Sequence, residues 1–268
     1  MRFLRPFSTS GQRIIDTLQR HRPGAHALAL SGIALALLAG CGGPQSALAP
    51  AGPAAATIAQ GWWLMAGAFT VVWAIVLALL WLALRRRDGD SALRHPRRLI
   101  IAGGLILPTV VLAALLVWGS VTSGRLTWPG RAPDAVIDVT ARQWQWQFDY
   151  HNDGGAVVAG SLDEIVLPVG RMVELRITSD DVIHSFWIPR LAGKIDAIPG
   201  RVNVLRLQAD DSTPMRGQCA EFCGLDHARM AFSVRVVDDA AWSRWLAGDP
   251  LDEDTDGAHA TAHGSVAP

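Results

Sequence analysis

The last quarter of the chain contains a segment rich in metal-binding side chains: Gln218-Cys219-Ala220-Glu221-Phe222-Cys223-Gly224-Leu225-Asp226-His227-Ala228-Arg229-Met230. Cys223, His227 and Met230 place a thiol, an imidazole and a thioether within one loop. A second imidazole, from His184, lies upstream in Asp181-Val182-Ile183-His184-Ser185-Phe186. Two histidines, one cysteine and a weak axial methionine on a β-sandwich form the ligand set of a mononuclear copper site that transfers electrons.

Cys219 adds a second thiol, which a mononuclear site of this kind lacks. It lies on the same loop as Cys223, so both sulfurs can approach the same metal centre, and two thiolates can bridge two copper ions. Each ion would take one histidine, with Met230 axial to one ion and an oxygen, such as a backbone carbonyl between the cysteines, on the other. With every position filled, the site is suited to carrying electrons and not to binding a substrate.

Two other interpretations of the cysteine pair stay open. Outside the cytoplasm the pair can form a disulfide, and two cysteines with two histidines can hold structural zinc. A disulfide needs no histidine, and zinc does not need the thioether of Met230, so the whole set favours copper. Glu221 is either a solvated loop acid or a ligand for a second, harder cation.

The residues around this segment are typical of short β-strands. Apolar and polar residues alternate over 135–150, which predicts one long strand. Further strands are predicted between Gly, Pro, Asp and Asn clusters, at 164–168, 171–178, 202–208 and 232–237. The pattern predicts an all-β sandwich or barrel over residues 122–247.

The C-terminal residues predict one short helix and then a tail. Asp238 is a candidate cap for a helix that carries Trp242 and Trp245. Residues 248–268 are small, acidic and histidine-bearing, which predicts a disordered tail.

Two apolar stretches precede the predicted β-domain. Residues 62–84 and 99–121 contain no charged residue and are each long enough to cross a bilayer about 30 Å thick. The loop between them, 85–98, carries six arginines, and short arginine-rich loops stay in the cytoplasm. The sequence therefore predicts a two-helix transmembrane hairpin with both ends, and the β-domain, outside.

The N-terminal residues 1–40 have the features of an export signal. Arginines precede an apolar run at 25–39, which at about 15 residues is short for a membrane span. The run ends at Leu38-Ala39-Gly40-Cys41, which resembles a bacterial lipoprotein cleavage site. Cleavage would leave Cys41 as a lipid-modified N-terminus and 41–61 as an extracytoplasmic segment. An uncleaved helix and a chance cysteine are the alternatives.

Composition excludes two classes of protein. The 24 basic and 24 acidic residues balance, and the arginine cluster lies between the apolar stretches. The sequence therefore lacks the continuous basic surface that is typical of nucleic-acid-binding proteins. Three cysteines in 268 residues are too few for a disulfide framework.

Together these segments resemble subunit II of the haem-copper cytochrome c oxidases, whose outer cupredoxin-like domain carries the binuclear CuA centre. The resemblance covers about residues 62–245 and is most specific in 218–230, in 181–186 and in Ala197-Ile198-Pro199-Gly200-Arg201. It implies that Cys219 and Cys223 bridge the coppers. It further implies ligation by His184, His227, Met230 and the backbone carbonyl of Glu221, whose side chain would bind a magnesium ion shared with the catalytic subunit.

The resemblance also implies how electrons reach the copper. In Gln143-Trp144-Gln145-Trp146, Trp144 would receive the electron from cytochrome c, although a buried strand aromatic is the alternative. Asp180 and Asp181 would dock the basic cytochrome c, since complementary charge speeds encounter. Exposed turn aspartates are the competing interpretation.

Three departures from the family pattern qualify the resemblance. Aligned on Pro108, the usual Glu-x-x-Trp-Thr-x-x-Pro of the second helix is replaced, with Ile101, Gly104 and Leu105 at those places, so the proton pathway that the glutamate opens is not expected. Met215 replaces a tyrosine. A Cys-x-x-Cys-His motif for a fused cytochrome c is lacking, so the donor is expected to be a separate protein.

The sequence thus predicts the electron-accepting subunit of a terminal oxidase in a bacterial inner membrane, an oxidoreductase subunit with its copper domain in the periplasm. It would pass electrons from cytochrome c to haem in the catalytic subunit, where oxygen is reduced. The alternatives are a membrane-anchored copper-binding assembly protein, which needs an exchangeable site with fewer ligands, and a CuA subunit of a nitric oxide reductase.

Overall fold

The computed structural model describes residues 42–85, 96–127, 130–152 and 154–251. The expected signal peptide, Cys41, most of the arginine loop and nearly all of the C-terminal tail lie outside the described residues. Predictions about those segments stay predictions.

Residues 53–85 and 96–127 are helical. Their elements are α1 (Pro53–Arg85), α2 (Pro96–Ile101), a π-helical segment (Ala102–Ile106) and α3 (Leu107–Thr127). Two helical stretches are long and apolar enough to cross a membrane, Pro53–Arg85 and Ala102–Leu126. The π-helical segment ends just before Pro108, the kind of position at which a helix adjusts to a missing backbone donor.

The first helix begins well before the predicted span, and its extra turns pack on the β-domain. Ala55 and Ala59 are buried there, and the amide of Ala55 donates to the carbonyl of Leu191 at 3.1 Å. At 33 residues, α1 extends about 50 Å, more than a bilayer core needs. The first turns of α1 therefore attach the β-domain to the apolar part of the same helix.

The strands between Ala135 and Val237 form a sandwich of two five-stranded sheets, ordered β3-β2-β1-β5-β8 and β4-β10-β9-β6-β7. The predicted β-sandwich preceded by two apolar helices is confirmed. The strands are β1 (Ala135–Arg142), β2 (Gln145–His151), β3 (Val157–Leu162), β4 (Glu164–Pro168), β5 (Met172–Ser179), β6 (His184–Trp187), β7 (Ile195–Ala197), β8 (Asn203–Gln208), β9 (Met215–Cys219) and β10 (Ala231–Val237).

The single long strand predicted over 135–150 is wrong, because the chain reverses there. Strands β1 and β2 pair antiparallel, with Arg142 opposite Gln145, so Gln143 and Trp144 form a two-residue turn. Side chains alternate regularly on both sides of such a turn, and the glycine or asparagine that usually marks it is missing. The turn presents Trp144 at one end of the sandwich.

Aromatic rings fill the space between the sheets near that end. Trp146, Phe148, Phe186 and Phe232 are fully or almost fully buried, and the last two rings stack with centroids 4.9 Å apart. The core beneath the ligand loop is therefore dense and apolar.

The predicted C-terminal helix, α4 (Asp239–Leu246), is confirmed.

Candidate metal centre

Two neighbouring strands deliver the predicted ligands to one end of the sandwich. Strand β6 begins at His184, and β9, which pairs with it, ends at Cys219. Both ends of the loop that follows are tied down, since Ala220 N donates to Ser185 O at 2.8 Å and Cys219 N donates to Met230 O at 2.9 Å. The ligand loop is therefore held by strand backbone.

The sulfur of Cys223 lies at the centre of the group. It is 3.8 Å from the Cys219 sulfur, 3.5 Å from His227 Nδ1 and 3.7 Å from Met230 Sδ. The Cys219 sulfur is in turn 3.9 Å from His184 Nδ1 and 3.2 Å from the carbonyl oxygen of Glu221. All six predicted donor atoms thus converge, although they come from strands, a loop and a 3-10 turn (His227–Arg229).

The spacing of the sulfurs fits a shared metal ion. Cys219 and Cys223 are free cysteines, and 3.8 Å is far longer than the roughly 2.05 Å of a disulfide bond. Two thiolates that each lie about 2.3 Å from one metal ion subtend a near-tetrahedral angle at this separation. His184 Nδ1 or Nε2 and both sulfurs lie within 4.8 Å of one another, a geometry able to hold an ion.

Four of the candidate ligands are buried, and burial changes the pKa of a thiol. His184 is 0% exposed and Cys219, Cys223 and Met230 are each at most 5% exposed. Burial, reinforced by the neighbouring Cys219, raises the pKa of the Cys223 thiol to about 12. A bound cation would reverse this, because a coordinating thiol is deprotonated. Metal uptake at neutral pH must therefore release protons.

Asp181 orients the buried imidazole. Its Oδ1 lies 2.8 Å from His184 Nε2 and also accepts from the amide of Val182, while Oδ2 accepts from the amide of Gln143 at 2.7 Å. Burial opposes ionisation, but these hydrogen bonds lower the pKa of Asp181 to about 2. A carboxylate can only accept, so Nε2 carries the proton and Nδ1 is left as the metal-facing lone pair.

The turn between β1 and β2 closes over the ligand loop. The side chain of Gln143 donates to the carbonyl of Cys223 at 2.7 Å, and the Gln143–Trp144 peptide bond is cis. Gly224 has φ +125°, and a Cβ there would lie 3.1 Å from Gln143 Nε2 and 3.3 Å from the Trp144 ring. A glycine is required at this close approach. Trp144 is half-buried, and its ring packs beside Gly224, the residue that follows the candidate ligand Cys223.

The remaining predicted residues lie around the centre. Asp180 pairs with Arg142 at 2.5 Å on the surface. The Glu221 side chain is half exposed, with Lys194 at 3.9 Å. Trp146 is fully buried and lies edge-on to the His184 ring at 6.1 Å. The hydrogen-bonding parts played by Gln143 and Asp181 were missed by sequence reasoning, because only the β1–β2 turn brings the two residues together.

Several known proteins are similar to the chain. A family model, cytochrome c oxidase subunit II, periplasmic domain, matches residues 135–237. Cytochrome c oxidase subunit 2 of Alkalihalophilus pseudofirmus is 34% identical over 79% of this chain. A probable cytochrome c oxidase subunit 2 of Streptomyces avermitilis is 26% identical over 81% of the chain and 83% of its own length.

One solved structure adds to these matches. The periplasmic domain of subunit II of cytochrome oxidase of Bradyrhizobium japonicum is 33% identical, with 44% of this chain and 94% of that chain covered and a TM-score of 0.41. The chain spans 64% of the length of the Alkalihalophilus relative. The His184, Cys219 and Cys223 cluster, in a domain of this kind, indicates copper binding. Residues 135–237 match the periplasmic-domain model, and the chain belongs to the cytochrome c oxidase subunit II family.

Proposed function

We propose that this chain is the electron-accepting subunit of a respiratory terminal oxidase. It takes electrons from cytochrome c at a binuclear CuA centre and passes them to haem in a catalytic subunit that reduces oxygen to water. One observation carries the proposal: two thiols, two imidazoles, a thioether and a backbone carbonyl converge on one buried point. The names of the relatives, cytochrome c oxidase subunit 2, support it.

In the proposed centre, the thiolates of Cys219 and Cys223 would hold the copper ions. The other ligands would be His184, His227, Met230 and the Glu221 carbonyl oxygen. When bound, the copper pair supplies a one-electron redox couple. Thiolate and thioether are soft donors, and copper is the metal that this combination with imidazole selects.

The residues of this chain hold the donors in place and exclude water. Ser185 and Met230 fix the ends of the loop by backbone hydrogen bonds, and Asp181 fixes the His184 ring. Sites built on strands keep their geometry better than sites on free loops. His184, Cys219, Cys223 and Met230 are buried, so most of the donor set is already enclosed by protein, in keeping with a relay.

Electrons would arrive through Trp144. Its ring packs against Gly224, next to the ligand Cys223, and Gln143 links the same turn to the Cys223 carbonyl. Around it the loop exposes large apolar side chains, with Phe222 at 77% and Leu225 at 95% exposure. An exposed apolar patch beside a redox centre is a docking surface of the expected kind.

Asp180 and Asp181 would supply the acidic part of that docking surface. Both carboxylates have partners within the chain, Asp180 with Arg142 and Asp181 with His184. The Asp181 side chain is still 31% exposed, so its charge can act on an approaching cation. Because these charges are partly compensated, we assign most of the contact to the apolar patch.

The Glu221 side chain is a candidate for the second, harder cation. It lines a shallow depression with Asp196, and its carboxylate has only a distant contact with Lys194. We propose that it becomes a magnesium ligand when the catalytic subunit supplies the remaining oxygens, since hard cations take oxygen ligands.

The chain is a membrane-anchored protein with an extracytoplasmic domain. We propose that both ends of the helix pair face the periplasm. Trp62 and Trp63 lie near the domain end of α1, whereas Arg85 stacks over Trp81 at the other end, at 3.9 Å. Aromatic residues at both ends of a span and arginine at the cytoplasmic end fit this orientation.

The function is tested by electron transfer into the full chain, purified in detergent and loaded with copper. Reduced soluble cytochrome c should be oxidised on mixing while the copper absorbance bleaches. If ascorbate reduces the copper but cytochrome c stays reduced, the proposal fails. Rapid loss of the copper to a mild chelator would instead identify a metal-delivery protein.

A further inference from the structure

The residues between Cys41 and the first helix lie along the copper domain. We define this N-terminal strap as residues 43–52. The amide of Arg216 in β9 donates to the carbonyl of Pro44 at 3.1 Å, and Gln45 donates through Nε2 to the Gln218 side chain at 3.0 Å. The strap therefore contacts the strand that ends in Cys219.

The strap pairs with the part of strand β9 that strand β6 does not reach. Strand β6 pairs with β9 only at Cys219 and Gln218, opposite Phe186 and Trp187. On its other side β9 pairs with β10 over Met215 to Gln218. The amide of Arg216 would lack a backbone partner on the β6 side without Pro44. An uncovered sheet edge is a structural liability, and the strap covers this one.

Arg190 follows strand β6 and joins the strap to the residues that precede strand β9. Its side chain is 11% exposed. Its Nε donates to Ala49 O at 2.7 Å and its Nη1 donates to Thr213 Oγ1 at 2.9 Å, with Pro214 O at 3.4 Å. Thr213 and Pro214 lead directly into β9. One planar guanidinium thus hydrogen-bonds two chain segments in a fixed geometry, which a flexible lysine side chain reproduces less well.

The end of the strap is closely seated. Ala51 N donates to Arg190 O, and Asp210 N donates to Ala51 O, both at 2.8 Å. At Gly52 an added Cβ would lie 2.2 Å from the carbonyl oxygen of Gln208. Any side chain at this position must push the backbone apart.

We propose that Arg190 is a positioning residue for the metal centre. With the strap, it sets the place of β9 relative to β6 and so the separation of Cys219 from His184. This inference rests on the proposed function, because it assigns Arg190 to the copper site. It makes the N-terminal segment a part of the copper domain.

The test compares Arg190→Met, Arg190→Lys and Gly52→Ala in the full chain in detergent. Arg131→Met, which removes an exposed ion pair with Asp134, and Gly193→Ala, where the nearest atom to a new Cβ is 3.9 Å away, are the matched controls. Three quantities are measured on each: amide exchange at Ala51, Asp210 and Arg216, the absorption and EPR spectra of the copper-loaded protein, and the rate of copper loss to a chelator.

We expect Arg190→Met and Gly52→Ala to expose the three amides, to shift both spectra and to release copper about 10–100-fold faster, the usual effect of losing a group that supports metal ligands. Arg190→Lys should fall between them and the wild type, and the controls should match the wild type. Gly52→Ala leaves Arg190 intact, so it decides the question if Arg190→Met does not fold.

Fast amide exchange with unchanged spectra and unchanged copper loss would overturn the inference, since the strap would then be seated without affecting the metal. The proposed function fails in a different way. In that case the wild-type chain itself would show no copper pair, whatever the strap does.

Discussion

The imidazole of His184 is held by Asp181 through a 2.8 Å contact between Nε2 and Oδ1, while its Nδ1 faces the sulfur of Cys219. The ring is fully buried and the carboxylate reaches the surface. The Asp181 side chain thus connects the buried metal centre with the proposed docking surface.

Replacing Asp181 by asparagine should weaken copper binding. Asparagine is a poorer acceptor for the Nε2 proton, so the ring is less firmly oriented and less basic, and partners of this kind typically account for about 10–100-fold in metal affinity. Competition titration of the full chain with a copper chelator measures the change. Asp180→Asn is the control, because its surface pair with Arg142 contributes little to stability. Equal losses in both variants would contradict the role of Asp181.

Trp144→Ala should slow electron transfer from cytochrome c without changing the copper spectrum. Interface tryptophans commonly contribute about 2 kcal/mol or more to binding, which corresponds to a loss of more than about tenfold in the second-order rate constant. Stopped-flow mixing with reduced cytochrome c measures it. Val157→Ala, an exposed apolar residue on strand β3, is the control. If Trp144→Ala reacts as fast as this control, electrons enter elsewhere.

Gly224→Ala should disturb the ligand loop. The new methyl group would meet Gln143 and Trp144 at 3.1 and 3.3 Å in a backbone conformation that alanine rarely adopts, at a cost of about 1–3 kcal/mol. Gly170→Ala is the control for replacing a left-handed glycine, because Gly170 has φ +70° and open space around it, whereas Gly224 combines φ +125° with crowding. Thermal unfolding and copper retention are the measurements. Wild-type copper retention in Gly224→Ala would show that the close packing of the turn is dispensable.

Protonation of Glu174 in acid should lower the stability of the domain. Burial opposes its ionisation, but hydrogen bonds from Arg206 and Arg176 lower its pKa below the ordinary value of 4.5. The folded chain therefore holds this proton less tightly than the unfolded chain. The stabilisation is complete above about pH 4.5 and is lost as the pH falls through the lowered pKa.

Glu174→Gln should accordingly cost about 1.5–3 kcal/mol near pH 7, because it weakens the charge-assisted hydrogen bonds that Glu174 accepts from Arg206 and Arg176, and should flatten the acid limb of the stability curve. The thermal midpoint between pH 7 and pH 4 is measured for both chains. Asp239→Asn, 79% exposed and 3.6 Å from Arg171, should leave the profile unchanged. An unaltered acid limb in Glu174→Gln would rule out this ion pair as its cause.

The sequence was most informative where residue type alone identifies the chemistry. Cys219, Cys223, His227 and Met230 share one loop, so their spacing alone predicts that they lie close together. His184 is far away in sequence, and the pairing of β6 with β9 brings it to the loop. The helices were predictable because hydrophobic length does not depend on tertiary contacts.

The contacts that support the site were less predictable. The turn at Gln143 and Trp144 lacks a turn residue, yet the buried positions change there from odd numbers, such as Val139 and Ala141, to even numbers, such as Trp146. That change of phase was a usable signal for a hairpin. No comparable signal marks Arg190, because its partner Ala49 is 141 residues away in the sequence.

The central claim is that the centre holds two copper ions that share one electron through Cys219 and Cys223. The most direct measurement is EPR of the copper-loaded full chain together with its copper content. We expect two copper ions per chain and one unpaired electron divided equally between two copper nuclei. One copper ion per chain, or an electron confined to a single copper nucleus, would contradict the claim.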